Sequence, residues 1–164
     1  MYVEETPRES PRQPMSSETD LIKLYSSRIL ALAADIPFLE RLENPDASAK
    51  KRAPLCGSTV TVDLNIASGR IVEFGQDVKA CALGQASASV VGQNIIGRTL
   101  AEVETARDEL KAMLTDGQPA PKAPFADLEV LIPAREFKNR HASILLCLEA
   151  SLEAFKAALQ KNCA

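Results

Sequence analysis

Two cysteines bracket a stretch that alternates like a β-hairpin, and this restricts the chain's possible folds more than any other feature. Leu55-Cys56-Gly57-Ser58 precedes it and Lys79-Ala80-Cys81-Ala82 follows it. Between them Val60, Val62, Leu64 and Ile66 alternate with Thr59, Thr61, Asp63 and Asn65, and a second apolar run, Ile71, Val72, Phe74 and Val78, follows Ser68-Gly69. The period of two predicts two antiparallel strands joined by a tight turn. Because the turn lies almost midway between the cysteines, closing the hairpin returns Cys81 to the neighbourhood of Cys56, about one strand spacing away. Two thiols then meet at one edge of a sheet.

The segment after Cys81, Leu83-Gly84-Gln85-Ala86-Ser87-Ala88-Ser89, is built of small residues that suit a closely packed helix, with Gly97 as its C-cap. Cys81 then sits at a helix N-terminus, where the dipole favours thiolate, the form that binds metals and attacks sulfur. The only histidine lies near the start of a C-terminal helix capped by Asn139, in which His141, Leu145, Leu148, Leu152, Phe155 and Leu159 fall on one stripe. The stripe predicts that His141 points inward, toward the sheet.

These motifs together resemble the IscU/NifU/SufU scaffolds of iron-sulfur cluster assembly, over roughly residues 20 to 160. Cys56-Gly57-Ser58 is similar to the family's Cys-Gly-Asp, and Cys81 followed by Ala86-Ser87-Ala88-Ser89 to its Gly-Cys segment and Ala-Ser-Ala-Ser. Gly97-Arg98-Thr99-Leu100 is similar to Gly-Lys-Ser/Thr-Leu, and Asp127 to Arg135 with Arg140-His141-Ala142-Ser143-Ile144-Leu145 to the block carrying the third cysteine. The resemblance implies an α+β fold, a three-stranded antiparallel sheet packed on four to five helices. It also implies a ligand set of three cysteines and an aspartate, with a histidine before the third cysteine in the IscU branch. Here the aspartate position is Ser58 and the third cysteine position is Ala142. Carried over residue by residue, Cys56, Cys81 and His141 remain as ligands for iron, zinc or a labile Fe-S cluster, with one coordination position open.

The implied function is a scaffold or carrier rather than an enzyme, with a cysteine desulfurase as sulfur source and acceptor apoproteins as destination. A zinc-dependent sulfurtransferase accepting persulfide and a metal-free regulatory relative are the alternatives, and a homo-oligomer is among the assemblies left open. The Leu-Pro-Pro-Val-Lys of the IscU branch is reduced to Leu131-Ile132-Pro133-Ala134-Arg135, while the proline-bearing loop at Pro119, Pro121 and Pro124 is nearer the SufU branch.

Ser58 reads as a structural hydroxyl, because neutral hydroxyls are poor ligands for soft metals. Cys147 is six residues beyond His141, about 120° around a helix and about 9 Å along it, and reads as a packed core cysteine. Cys163 is an incidental thiol near the end of the chain. Lys50, Lys51 and Arg52 form a solvated edge strand.

Composition fits this picture. A chain of 164 residues with 46% hydrophobic and only 4% aromatic residues predicts a single domain packed by aliphatic and small side chains. A net charge of -3 argues against nucleic acid or an anionic membrane as the main partner. No segment approaches the roughly 18 apolar residues of a membrane span, and four cysteines without a secretory signal point to free thiols in the cytoplasm. Residues 1 to 17, with Pro7, Pro11 and Pro14, are expected to be a disordered tail, and residues 18 to 164 the domain. Asp20 is the expected cap of a first helix running to about Ala34. Thr99 and Glu102 form a capping-box pattern ahead of a helix ended by Asp116-Gly117, and a short helical turn is expected at Asp127 to Leu131.

Overall fold

A computed structural model describes residues 25 to 162. The expected tail, the Asp20 cap and Cys163 lie outside the described residues. Within them, the first helix, α1, spans Ser27–Ala34, and its cap is Ser26, whose hydroxyl accepts from the Ile29 N–H at 3.3 Å.

Three strands follow: β1 (Ala47–Arg52), β2 (Thr59–Ala67) and β3 (Arg70–Lys79), antiparallel in the order β1-β2-β3. The β2–β3 turn uses Ser68 and Gly69, both at positive φ (53° and 74°). Two left-handed residues give the turn a twist that matches its strands. Thr59 pairs with Lys79 at the far end of the ladder, so Cys56 and Cys81 leave the same end of the hairpin. One face of the sheet carries Val60, Val62, Leu64, Ile71 and Phe74 into the core.

Four described helices and two 3₁₀ segments make up the rest. Helix α2 (Ala82–Asn94) is followed by α3 (Leu100–Thr115), then 3₁₀ segments at Ala126–Glu136 and Lys138–Arg140, then α4 (His141–Asn162). The capping box forms as expected: the Thr99 hydroxyl accepts from the Glu102 N–H at 3.2 Å while Glu102 accepts from the Thr99 N–H at 3.1 Å. Helix α4 packs against β1, β2, α2 and α3. Burial of Ile144, Leu148, Ala150, Leu152, Ala154, Phe155 and Ala158 on several of its sides makes it the spine of the core. The α+β class and three-stranded sheet inferred from the resemblance are therefore present.

Several local expectations change. Asn139 does not cap α4 but lies inside the Lys138–Arg140 3₁₀ turn, which runs directly into the helix. The expected helical turn at Asp127 to Leu131 is part of the longer 3₁₀ segment. Gly97 is not the residue that ends α2, whose cap is Ile95. Its φ of 88° instead turns the chain so that its N–H reaches the Ile71 carbonyl at 2.7 Å.

That contact helps to cover the outer edge of β3. Arg98 O accepts from the Ile71 N–H at 3.1 Å, and farther along the strand Phe38 O accepts from the Gln76 N–H at 2.8 Å. Gly75 leaves room for the backbone of this crossing segment, since a Cβ there would collide with the Glu40 carbonyl. Unpaired strand donors are thereby satisfied by loops, which protects the edge from pairing with another chain.

Candidate thiol site

Cys56 and Cys81 are held on different mounts. Cys56 lies in a tight turn closed by two backbone hydrogen bonds, Ala53 N–H to Ser58 O (2.8 Å) and Gly57 N–H to Ala53 O (2.9 Å), with Gly57 at φ 72°. It is exposed. Cys81 is the N-cap residue of α2, in extended conformation, and its carbonyl accepts from the Gln85 N–H at 2.9 Å. It is half-buried. The helix position expected for Cys81 is therefore present.

Two buried hydroxyls join the thiols. Cys56 Sγ lies 3.3 Å from Ser58 Oγ, Ser58 Oγ lies 3.1 Å from Ser143 Oγ, and Ser143 Oγ lies 3.6 Å from Cys81 Sγ. Ser58 and Ser143 are 5% and 1% exposed. Ser143 comes from the first turn of α4, and Gly84 of α2 lets it approach: a Cβ at Gly84 would stand 2.6 Å from Ser143 Oγ. The close packing of small residues expected for α2 thus has a local purpose, to seat a hydroxyl of α4 beside the cap of α2. Ser87 reinforces the same seam by donating to the Ile144 carbonyl at 2.7 Å.

The surroundings favour thiolate at Cys56. The hydrogen bond with the Ser58 side chain is the largest influence and holds the thiol below its ordinary value; it outweighs the opposing effect of partial burial. The Ser58 backbone, the Ser143 hydroxyl and the positive charge of Arg140 act in the same direction. Cys147 is the contrast. It is buried, its thiol donates to Gln76 Oε1 at 3.3 Å, and desolvation pushes it up to about 12. It is the packed core cysteine expected from its place on the helix.

His141 is not brought to the thiols. Its Nε2 faces two acceptors, the carbonyls of Ala134 at 2.9 Å and Arg135 at 3.1 Å, so that nitrogen carries the proton. The ring ties α4 to the preceding 3₁₀ segment and borders a different cleft, of about 680 Å³, with Leu114, Thr115, Arg135 and Lys138. The helical stripe does turn His141 inward, but toward this segment rather than toward the sheet edge. Among the described residues no three His, Cys, Asp or Glu side chains are grouped to hold a metal ion. Ser143 is the site residue that sequence reasoning missed; its signal was its place two residues beyond His141, in a block already singled out.

Comparisons with known proteins agree with this architecture. Residues 25–142 match the family model described as the NifU-like N terminal domain. The iron-sulfur cluster assembly scaffold protein IscU of Thermotoga maritima is 23% identical over 133 residues, 81% of this chain and 93% of that protein. Among solved structures, a nitrogen-fixing NifU-like protein (N-terminal) from Brucella abortus is 42% identical, with a TM-score of 0.84 over 87% of this chain and 99% of that one. A putative scaffold protein for the SUF system from Fervidobacterium islandicum AW-1, 22% identical, shares the fold with a TM-score of 0.74 over 82% of this chain and 98% of its own.

Proposed function

The chain belongs to the NifU-like N-terminal domain family of iron-sulfur cluster assembly scaffolds, and from that premise we propose that it receives and passes on iron, or a labile iron-sulfur cluster, at the paired thiols of Cys56 and Cys81. The observation that carries this reading is the pairing itself. Two sulfurs that flank the hairpin in sequence and leave it at the same end are linked through Ser58 and Ser143 in three steps of 3.1 to 3.6 Å. Thiolate is the donor that iron, zinc and iron-sulfur clusters share. The exposed thiol of Cys56 is the group an incoming donor meets first, and the Arg140 charge beside it offsets the negative charge of sulfur-rich cargo.

Two protein thiolates hold an ion or cluster less firmly than the closed four-ligand sets of structural metal sites. Such a site suits transfer rather than storage. In this reading a cysteine desulfurase supplies sulfur and an acceptor apoprotein takes the product. Membrane attachment through a helix has no support among the described residues, none of whose helices is long and apolar enough to cross a bilayer.

Iron, zinc and acid-labile sulfide measured on protein purified without oxygen test the proposal. Wild type is expected to carry metal, and Cys56→Ser and Cys81→Ser to lose most of it. Equal content in all three proteins would overturn it.

A further inference from the structure

The two edges of the sheet are finished differently. Along β3 the outward backbone groups are met by loops, at Ile71 and again at Gln76. Along the outer edge of β1 no such backbone partner stands among the described residues. We propose that this free edge accepts an extended acidic segment of another protein as a fourth strand. The inference is independent of what the thiols carry.

The register identifies the free groups. The Ala53 N–H donates to Ser58 O, and the ladder continues from there with Lys51 opposite Val60, Ala49 opposite Val62 and Ala47 opposite Leu64. In an antiparallel pair alternate residues turn their backbone groups toward the neighbouring strand, so those of Ser48, Lys50 and Arg52 point away from β2. Their N–H and C=O groups in a row form a template for one more strand. Main-chain bonds of this kind give affinity for an extended chain, and side chains decide which chain.

The side chains select for acid. Lys50 and Arg52 are exposed on the outer face of the sheet, and neither is in an ion pair among the described residues. The acids around them are engaged: Asp63 holds Arg41, Asp77 faces Lys79 at 4.0 Å, and Glu153 of α4 takes Lys51 at 3.2 Å. An added strand with Glu or Asp at alternate positions sets a carboxylate beside each unpaired cation, and its intervening residues lie beside buried Ala49 and are apolar. A second copy fits badly, since pairing two β1 strands about Lys50 places Lys50 against its own counterpart. The lysine that discourages self-pairing thus admits an acidic strand. Because β1 runs through Ala53 into the turn of Cys56, a partner anchored here is held close to the exposed thiol.

Fluorescence anisotropy of a labelled eight-residue peptide alternating Glu and Val, added to the full-length protein, tests this, with a Lys-Val peptide as control. The acidic peptide is expected to bind at least about tenfold more tightly than the basic one, and Lys50→Glu combined with Arg52→Glu to remove that preference. Methylating alternate amide nitrogens of the peptide separates strand addition from charge attraction alone. One alternate set should abolish binding and the other should leave it intact, because only one set faces β1. Bound peptide should also slow hydrogen exchange at the Ser48, Lys50 and Arg52 amides. Binding that survives methylation of both sets overturns the proposal, as does the absence of binding. If those three amides are already protected in the protein alone, the edge is occupied by a second copy where the protein sediments as a dimer, or by residues 1–24 where it sediments as a monomer, and the proposal falls.

Discussion

Strand β2 has a polar cluster on its outer face and another just ahead of its first residue, and the two are built to opposite ends. On the outer face Asp63 is wholly buried, and its carboxylate accepts from Arg41 Nε (2.5 Å), Arg41 Nη2 (2.9 Å), Leu42 N–H (3.1 Å) and the Ser48 hydroxyl (2.5 Å). Burial alone would raise this carboxyl, but the hydrogen bonds from Arg41, Ser48 and Leu42 outweigh it and hold it below the usual carboxylate range. At the hairpin end the thiols and hydroxyls make contacts of 3.1 to 3.6 Å to neutral partners. A cluster whose every acceptor position is filled fastens the chain; one with sulfur lone pairs to spare can accept something else. The difference separates a latch on the strand from an open thiol cluster ahead of it.

The comparison breaks first, and by the largest amount, at the latch. Asp63→Ala should cost about 3 kcal/mol in denaturant unfolding, chiefly because the charge-assisted bonds that fasten the Arg41–Leu42 segment to β2 are lost and the part-buried Leu42 N–H is left without its partner; the exposed Ser48 and half-exposed Arg41 can turn to water. The same carboxylate gives stability a pH dependence. Its folded-state pKa lies below the unfolded value of about 3.9, so its contribution is complete above that value and is lost as pH falls through the folded one. Unfolding followed from pH 6 to pH 2 should show this loss in wild type and a flatter curve in Asp63→Asn.

Gly84→Ala strikes the seam between the thiol site and the core. The new methyl meets Ser143 Oγ at 2.6 Å and Ala80 Cβ at 2.8 Å, so about 2 kcal/mol of stability should go, together with most of the metal. Retained metal at reduced stability would show that Ser143 can move without disturbing the sulfurs. His141→Ala should cost about 1 to 2 kcal/mol, from the unpaired carbonyls of Ala134 and Arg135, and leave metal content unchanged. Metal loss in that variant would return the imidazole to the ligand set. Cys56→Ser should shift stability least, within about 0.5 kcal/mol, because the residue is exposed on a turn. Its cost should appear in metal content alone.

The hairpin, the thiol at the start of α2 and the capping box at Thr99 were legible because each rests on local rules: a period of two, turn residues and a cap with its partner three positions on. Asp63 shows where such rules stop. Alternation puts it off the core face, which usually means solvent, yet the segment carrying Arg41 and Leu42 crosses that face and buries it. That segment has no apolar period of its own, so nothing local announces its path. Ser143 was hidden for a related reason: a serine between Ala142 and Ile144 gains meaning only once Gly84 of another helix lies against it. His141 was placed on the correct helical face, but a face can look toward several neighbours, and the 3₁₀ segment claims the ring before the sheet edge does.

The β2–β3 register has one more implication. Cys56 and Cys81 are 25 positions apart in the chain and reach the same end of the hairpin through a ladder in which Thr59 must find Lys79. A slip of one residue would turn Val60, Val62 and Leu64 outward and carry the start of α2 about 3.3 Å along the strand. A misaligned molecule therefore cannot bring the two thiols to one end of the sheet, and under the function proposed above the hairpin would proofread itself, since only a chain zipped in register would present both sulfurs to cargo.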